Sequence, residues 1–198
     1  MSNYRRKNEF KLTKFLDFEE QKELRKTTSK DSYPYFEGGY ELSERKRAIV
    51  LFNDEDVSFD DFDIKIYEIL FESDIKQISH RNILGTLMSL GINRNSFGDI
   101  LITEDKYYLF VTSEISKYIE QNFLMVNHIP LKLIEINDLS LIKLPIPHEE
   151  NINVSSMRLD AIISRAMRKS RNDSAEIISK GLVLINHKEC LNISQNVK

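Results

Sequence analysis

Tryptophan is absent from this chain and cysteine occurs once, at Cys190. A lone thiol excludes an intrachain disulfide framework and a cysteine-built zinc site. An inert, reduced, intracellular thiol is the expectation for it. No run of residues approaches the ~18 apolar positions of a membrane span. The N-terminal MSNYRRKNEFKL is basic, but no apolar stretch follows it, so it is not read as a signal peptide. Cytoplasmic residence without a membrane partner is expected. The four histidines are scattered, with neither HExxH nor H-x-H spacing, and no metal site or cofactor is expected. What is present is a hydrophobic fraction of 41%, ordinary for a soluble protein, with 11 Phe and 8 Tyr as bulky core material.

Net charge is only -3, but it is unevenly spread. Residues 1–47 hold 12 Lys/Arg against 9 Asp/Glu, residues 48–148 hold 8 against 16, and residues 149–198 hold 8 against 6. An acidic middle between two mildly basic ends permits a local phosphate-binding face while opposing indiscriminate binding of polyanions.

The chain reads as four parts: an N-terminal helical and loop segment (1–45), a mixed domain (46–144), a proline-containing linker (145–154) and a small helical domain (155–198). In the first part, Asp17–Lys26 is a helix with a thin apolar stripe. The stretch from Asp31 to Tyr40 is a loop, punctuated by Pro34 and Gly38-Gly39, whose aromatics either anchor it to the next domain or stack on bases. In the second, Ala48–Phe52 and Ile64–Phe71 read as strands, although the imperfect alternation of the latter leaves a helix over Asp61–Glu72 as the alternative. A helix capped by Ser79 and stopped at Gly91 follows. A hairpin from Ile100 to Val111 comes next, then a helix with Ile115, Tyr118, Ile119, Phe123 and Leu124 inward, and a strand over Leu131–Ile136. A β-α-β-β-α-β order with both helices on one face predicts an α+β, ferredoxin-like (RRM-like) domain.

The last part carries the chemistry. A helix from Met157 to about Lys169, capped by Ser155 or Ser156, has an apolar face of Leu159, Ile162, Ile163, Ala166 and Met167. Ser170 and Asp173 form a capping box for a second helix, which ends at Gly181 before a strand at Leu182–Ile185. Arg158, Arg165, Arg168, Lys169, Arg171 and Lys180 fall in this one unit. A helix start with free N–H groups suits a phosphate, and Arg171 stands at that start. Charge by itself leaves open a solvated hairpin with ordinary surface arginines.

Arg158-Leu-Asp160, Ser170-Arg171, Ile178 with Lys180-Gly181, and Val183-Leu-Ile-Asn186 resemble the RLD…SR…I-x-K-G-x-V-x-V-N signature of S4-type RNA-binding domains. His80-Arg81-Asn82-Ile-Leu-Gly85, Leu90-Gly-Ile92-Asn-Arg94 and Phe97-Gly98-Asp99-Ile100 resemble the HRDxLGALMxLGIxRxxxGDI pattern of bacterial YlmH-type proteins. Glu37-Gly-Gly-Tyr40 and Glu44-Arg-Lys-Arg47 resemble that family's GGY-x-x-x-ERKR stretch. The resemblance implies a non-catalytic protein that docks on large-subunit rRNA and tRNA, not DNA. Its implied partner is a stalled ribosomal subunit carrying peptidyl-tRNA, and its implied role is rescue of stalled nascent chains. It places RNA contacts at Arg158, Ser170, Arg171, Lys180 and Asn186, to which the charge pattern of the unit adds Arg165, Arg168 and Lys169, with Asp160 and Asn186 also candidates for building the fold. A second RNA surface is implied at Arg45, Lys46, Arg47, His80, Arg81 and Arg94. Asn82 stands where the family has Asp. The family's last domain continues past the equivalent of Lys198 with further strands, so an incomplete S4 domain with an unprotected strand at Leu182–Ile185 is expected. A pseudouridine-synthase-type enzyme, suggested by the RLD tripeptide, and a division-linked protein adaptor are the alternatives.

Overall fold

The computed structural model describes residues 11–27, 32–51, 56–72, 78–142, 144, 151–185 and 188–197. The chain divides into two compact units, Met1–Pro145 and Ile146–Lys198.

At the centre of the first unit are β4 (Ile64–Phe71), α2 (His80–Ser89), β5 (Phe97–Ile102), β6 (Tyr107–Thr112), α3 (Ser113–Asn122), the short β7 (Met125–Val126) and β8 (Ile129–Glu135). The numbering follows β1 (Lys11–Leu12), α1 (Phe18–Thr27), β2 (Tyr33–Glu37) and β3 (Arg47–Leu51) of the N-terminal region. The five strands lie in the order β5-β6-β4-β8-β7, and every neighbouring pair is antiparallel. This is the ferredoxin-like arrangement expected from the element order. Alternation in β4 and β6 sends Tyr67, Ile69, Tyr107, Leu109 and Val111 to one face, where they pack with Ile83 and Leu87 of α2 and with Ile119 and Phe123 at α3. Tyr118 and Leu124, expected inward, are exposed, because the sheet is already covered along the Ile119–Phe123 stripe. Asn82 closes the capping box at α2 by accepting from the Ser79 N–H at 2.9 Å, so the amide oxygen does geometrically what a carboxylate would do.

The strand expected to open this sheet belongs elsewhere. β3 is the middle strand of a separate three-stranded sheet, β1-β3-β2, pairing Ile49 with Tyr35 and Val50 with Lys11. The stretch expected as a loop is therefore partly strand: its aromatics favour extended backbone, and Pro34 is tolerated because β2 is an edge. Phe52, the last residue of the expected strand, lies outside the described residues.

The second core explains why residues 1–45 and 46–144 do not behave as separate parts. Ile64, Ile66, Tyr108 and Phe110, on the helix-free face of the large sheet, pack against Phe15, Ile49, Leu51 and Phe62. A bare RRM sheet offers such aromatics to nucleobases; here they are buried under the N-terminal sheet. Gly39 approaches the Phe110 ring so closely, at φ 100°, that a Cβ would collide with it. A Cβ at Gly98 would stand 2.6 Å from the Phe15 ring.

In the second unit are α4 (Leu159–Ala166), α5 (Arg171–Ser179), β9 (Leu184–Ile185) and β10 (Lys188–Glu189). β9 pairs antiparallel with β10, so the strand expected to be unprotected has a partner. Leu159, Ile178 and Val183 form the core, with Ile163, Ile177, Ile193 and Val197 around it. Most of the expected linker, residues 145–150, lies outside the described residues.

Candidate nucleic-acid interface

The first helix of the basic unit starts later than its serines suggest. Arg158 is the residue before α4, in extended conformation, and it bridges Asn196. The N–H groups of Leu159 and Asp160 are taken by the carbonyls of Gln195 at 2.8 Å and Ile193 at 3.2 Å. The returning C-terminal segment thus satisfies orphan donors that a serine cap was expected to meet. α4 also ends early. Met167 closes it, Arg168 takes a left-handed conformation at φ 52°, and the Lys169 N–H returns to the Ser164 carbonyl at 3.0 Å. The expected capping box at α5 is present: the Ser170 hydroxyl accepts from the Asp173 N–H at 3.1 Å, and Asp173 accepts from the Ser170 N–H. Hydrogen bonding from the Ser170 side chain, then from its backbone N–H, holds the Asp173 carboxyl below its ordinary pKa. Gly181 has the left-handed φ expected after α5.

This tight turn between α4 and α5 gathers the basic side chains. Arg165, Arg168, Lys169 and Arg171, with Asn153, Val154, Ser155, Ala161 and Ser164, line a groove of about 380 Å³ that has no carboxylate among its described lining residues. Beneath it lies Asp160, only 5% exposed. Its carboxylate accepts from Arg158 Nε at 3.1 Å and Nη2 at 3.2 Å and from the Ala161 N–H at 3.0 Å, and it forms an ion pair with Arg171 Nη2 at 3.1 Å. The Arg158 guanidinium, then the charge of Arg171, hold the Asp160 carboxyl below its ordinary range, and Asp160 in turn raises Arg158. Both guanidiniums remain nearly half exposed, at 43% and 49%. Each has five N–H donors and spends one or two on Asp160, so the pair is oriented without being consumed. The pairing also lowers the local charge: two arginines and one aspartate contribute +1.

Not every expected contact belongs to this groove. Ser170 spends its hydroxyl on the cap. Lys180 sits at the far end of α5, ion-paired with Glu176 at 2.5 Å, and does not line the groove. Asn186 lies outside the described residues.

The second expected surface is largely architecture. Arg47 is buried, 6% exposed, and its guanidinium donates to the carbonyls of Thr13, Phe62 and Asp63. Burial lowers its pKa, opposed by Asp63. Arg94 donates to the carbonyls of Phe97 and Gly98 and lies 4.5 Å over the Phe97 ring. Burial, then the neighbouring Arg45 charge, brings Arg94 down to about 10. Arg45 donates to the Phe15 carbonyl. Partial desolvation, then Arg94, lower His80. Of the six, the side chains of Lys46, His80 and Arg81 make no hydrogen bond or ion pair among the described residues.

The residue that organises this region is Asp99. It accepts from the Tyr40 hydroxyl at 2.8 Å and from the N–H groups of Glu44 and Arg45 at 2.7 and 3.1 Å. The Gly-Asp pair and the aromatic-basic stretch are therefore two halves of one joint. A short loop ending in Gly-Asp was the available signal, but sequence alone does not show what the carboxylate meets.

No group of three or more His, Cys, Asp or Glu among the described residues is placed to hold a metal ion, and no described helix is long and apolar enough to cross a membrane.

Comparison with known proteins agrees with this division. Residues 157–198 match the S4 domain, and residues 58–139 match the family described as "Putative RNA-binding domain in YlmH". The chain is 32% identical over 181 residues to Ribosome-associated protein quality control protein P2 of Bacillus subtilis (strain 168), covering 90% of this chain and 70% of that protein. Its fold resembles that of the cell division protein YlmH from Streptococcus pneumoniae, with a TM-score of 0.57 and 26% identity over 69% of this chain and 84% of the other. With a signature, a fold and a relative matched over 90% of this chain in agreement, the chain belongs to the YlmH family of S4-domain RNA-binding proteins.

Proposed function

We propose that this protein binds folded rRNA and tRNA on the large ribosomal subunit through the α4–α5 groove, and that it assists rescue of stalled nascent chains without performing bond chemistry. The observation that carries the reading is the convergence of Arg165, Arg168, Lys169 and Arg171 on one concave, carboxylate-free lining. Guanidinium and ammonium donors in such a groove meet phosphate oxygens, and Arg adds planar, bidentate contacts. Asp160 holds one of the groove guanidiniums, Arg171, and the neighbouring Arg158, so less side-chain entropy is lost on binding. The buried sheet face of the first unit supports the same reading, because its aromatics are not available as a stacking surface. Both matched families describe binding domains, and the B. subtilis relative is named for ribosome-associated quality control.

In-cell cross-linking followed by sequencing of the bound RNA tests this. Enrichment of large-subunit rRNA and tRNA is expected, with loss of both in an Arg165→Glu/Lys169→Glu variant. Recovery of neither, with a defined protein partner instead, would favour the adaptor reading that the name of the S. pneumoniae relative raises.

A further inference from the structure

A second cavity, of about 320 Å³, opens in the first unit where the chain between β2 and β3 meets the segment after β8. Phe36, Glu37, Tyr40, Glu41, Lys46 and Ile142 are the lining residues that matter. The volume lies at the lower end of the small-molecule range and holds about one nucleobase with its sugar.

Its walls are preorganised. The Tyr40 ring rests against Phe110 at 5.1 Å and its hydroxyl is donated to Asp99. The Phe36 ring carries the Arg25 guanidinium at 4.3 Å. Aromatic rings fixed on one side suit stacking on the other, since little freedom remains to be lost. The polar groups are mixed in kind. Glu37 Oε1 accepts from the N–H groups of Gly38 and Gly39 at 2.8 Å each, and its second oxygen takes no part in those bonds. Glu41 adds an exposed carboxylate and Lys46 an ammonium.

This combination discriminates between ligands. Among the described lining residues, two carboxylates against one ammonium oppose a phosphate-rich ligand. The ammonium opposes a cationic peptide side chain. A flat neutral ring with donors on one edge and acceptors on another satisfies both. Guanine has that pattern: N1–H and N2–H₂ donate to a carboxylate, while O6 and N7 accept from a lysine. Adenine lacks the paired donors.

We infer that this cavity takes a single unpaired guanine base, stacked against Phe36 and Tyr40, its donor edge on Glu41 and its acceptor edge on Lys46. The inference rests on the RNA-binding reading for the source of that base, an unpaired residue of bound RNA, and a free guanine nucleotide has the same chemistry.

Saturation-transfer NMR on the full chain with GMP, AMP, CMP and UMP tests it. GMP is expected to saturate and to exceed AMP by about tenfold in affinity. Lys46→Ala and Glu41→Gln are each expected to weaken GMP by about tenfold with unchanged melting temperature. Repeating the measurement in the Arg165→Glu/Lys169→Glu background separates the two proposals, since GMP binding persists there even if the groove binds no RNA. In that background, a hairpin with one guanine in its loop that binds more tightly than GMP assigns an RNA source. Equal affinity assigns a free nucleotide. Equal response to all four nucleotides, no saturation, or displacement of GMP by an arginine-rich peptide overturns the inference.

Discussion

Replacing Asp160 with Asn sets two electrostatic effects against each other. The change removes one negative charge from beneath a basic groove, so a binding mode that depended on net charge alone would gain affinity for RNA. It also removes the acceptor that holds Arg158 and Arg171 at 3.1–3.2 Å. Breaking a fully buried ion pair costs about 3–5 kcal/mol. Here both guanidiniums are nearly half exposed and water takes up much of their charge, and Asn keeps one acceptor oxygen. The loss is therefore about 1–2 kcal/mol. In a unit this small, that lowers the melting temperature by roughly 8–16 °C. The Asp160 carboxyl is depressed in the folded state, so its contribution is present above the unfolded carboxylate pKa and is lost as pH falls through the lower folded value. Wild type is expected to lose stability below about pH 4 more steeply than the variant. Filter binding with large-subunit RNA fragments, alongside thermal melts, measures both effects. Weaker RNA binding and a lower melting temperature are expected. Tighter binding with an unchanged melt would refute the positioning role.

Other perturbations follow from the same contacts. Arg168→Gly releases an Arg from the left-handed region, so calorimetry is expected to show stabilisation of up to about 1 kcal/mol, while RNA affinity falls because a groove cation is lost. Phe15→Ala opens a cavity between the two sheets and is expected to cost about 3–5 kcal/mol in denaturant melts. Arg47→Ala leaves the carbonyls of Thr13, Phe62 and Asp63 without that donor and is expected to destabilise the first unit, with no change in RNA affinity of the folded fraction by filter binding.

How much of this was legible in sequence depends on the range of the interaction. The N-cap at Ser79, the capping box at Ser170, the stop at Gly181 and the ferredoxin-like order rest on neighbours a few residues apart, and each is legible in local pattern. The pairing of β3 was not. Ala48–Leu51 is apolar enough for either sheet, and what decides is its register with Tyr33–Glu37 and Lys11–Leu12, distant choices that alternation does not encode. The same limit applied to the basic stretch at Arg45–Arg47. Three cations in a row read as a surface, yet their destination depends on carbonyls at Thr13, Phe15, Phe62 and Asp63, contributed by turns far away in the chain. In the α4–α5 unit the basic residues were visible, but their separation was not. Arg165, Arg168, Lys169 and Arg171 surround the turn, whereas Lys180 is carried to the other end of α5 by nine helical residues.

The salt dependence of binding to large-subunit RNA tests the central claim most directly. If the groove meets phosphates, the logarithm of affinity falls linearly with the logarithm of salt, and Arg165→Glu/Lys169→Glu flattens that slope by about 2 while weakening every RNA alike. An unchanged slope and affinity in that variant, with the protein still folded, would contradict it.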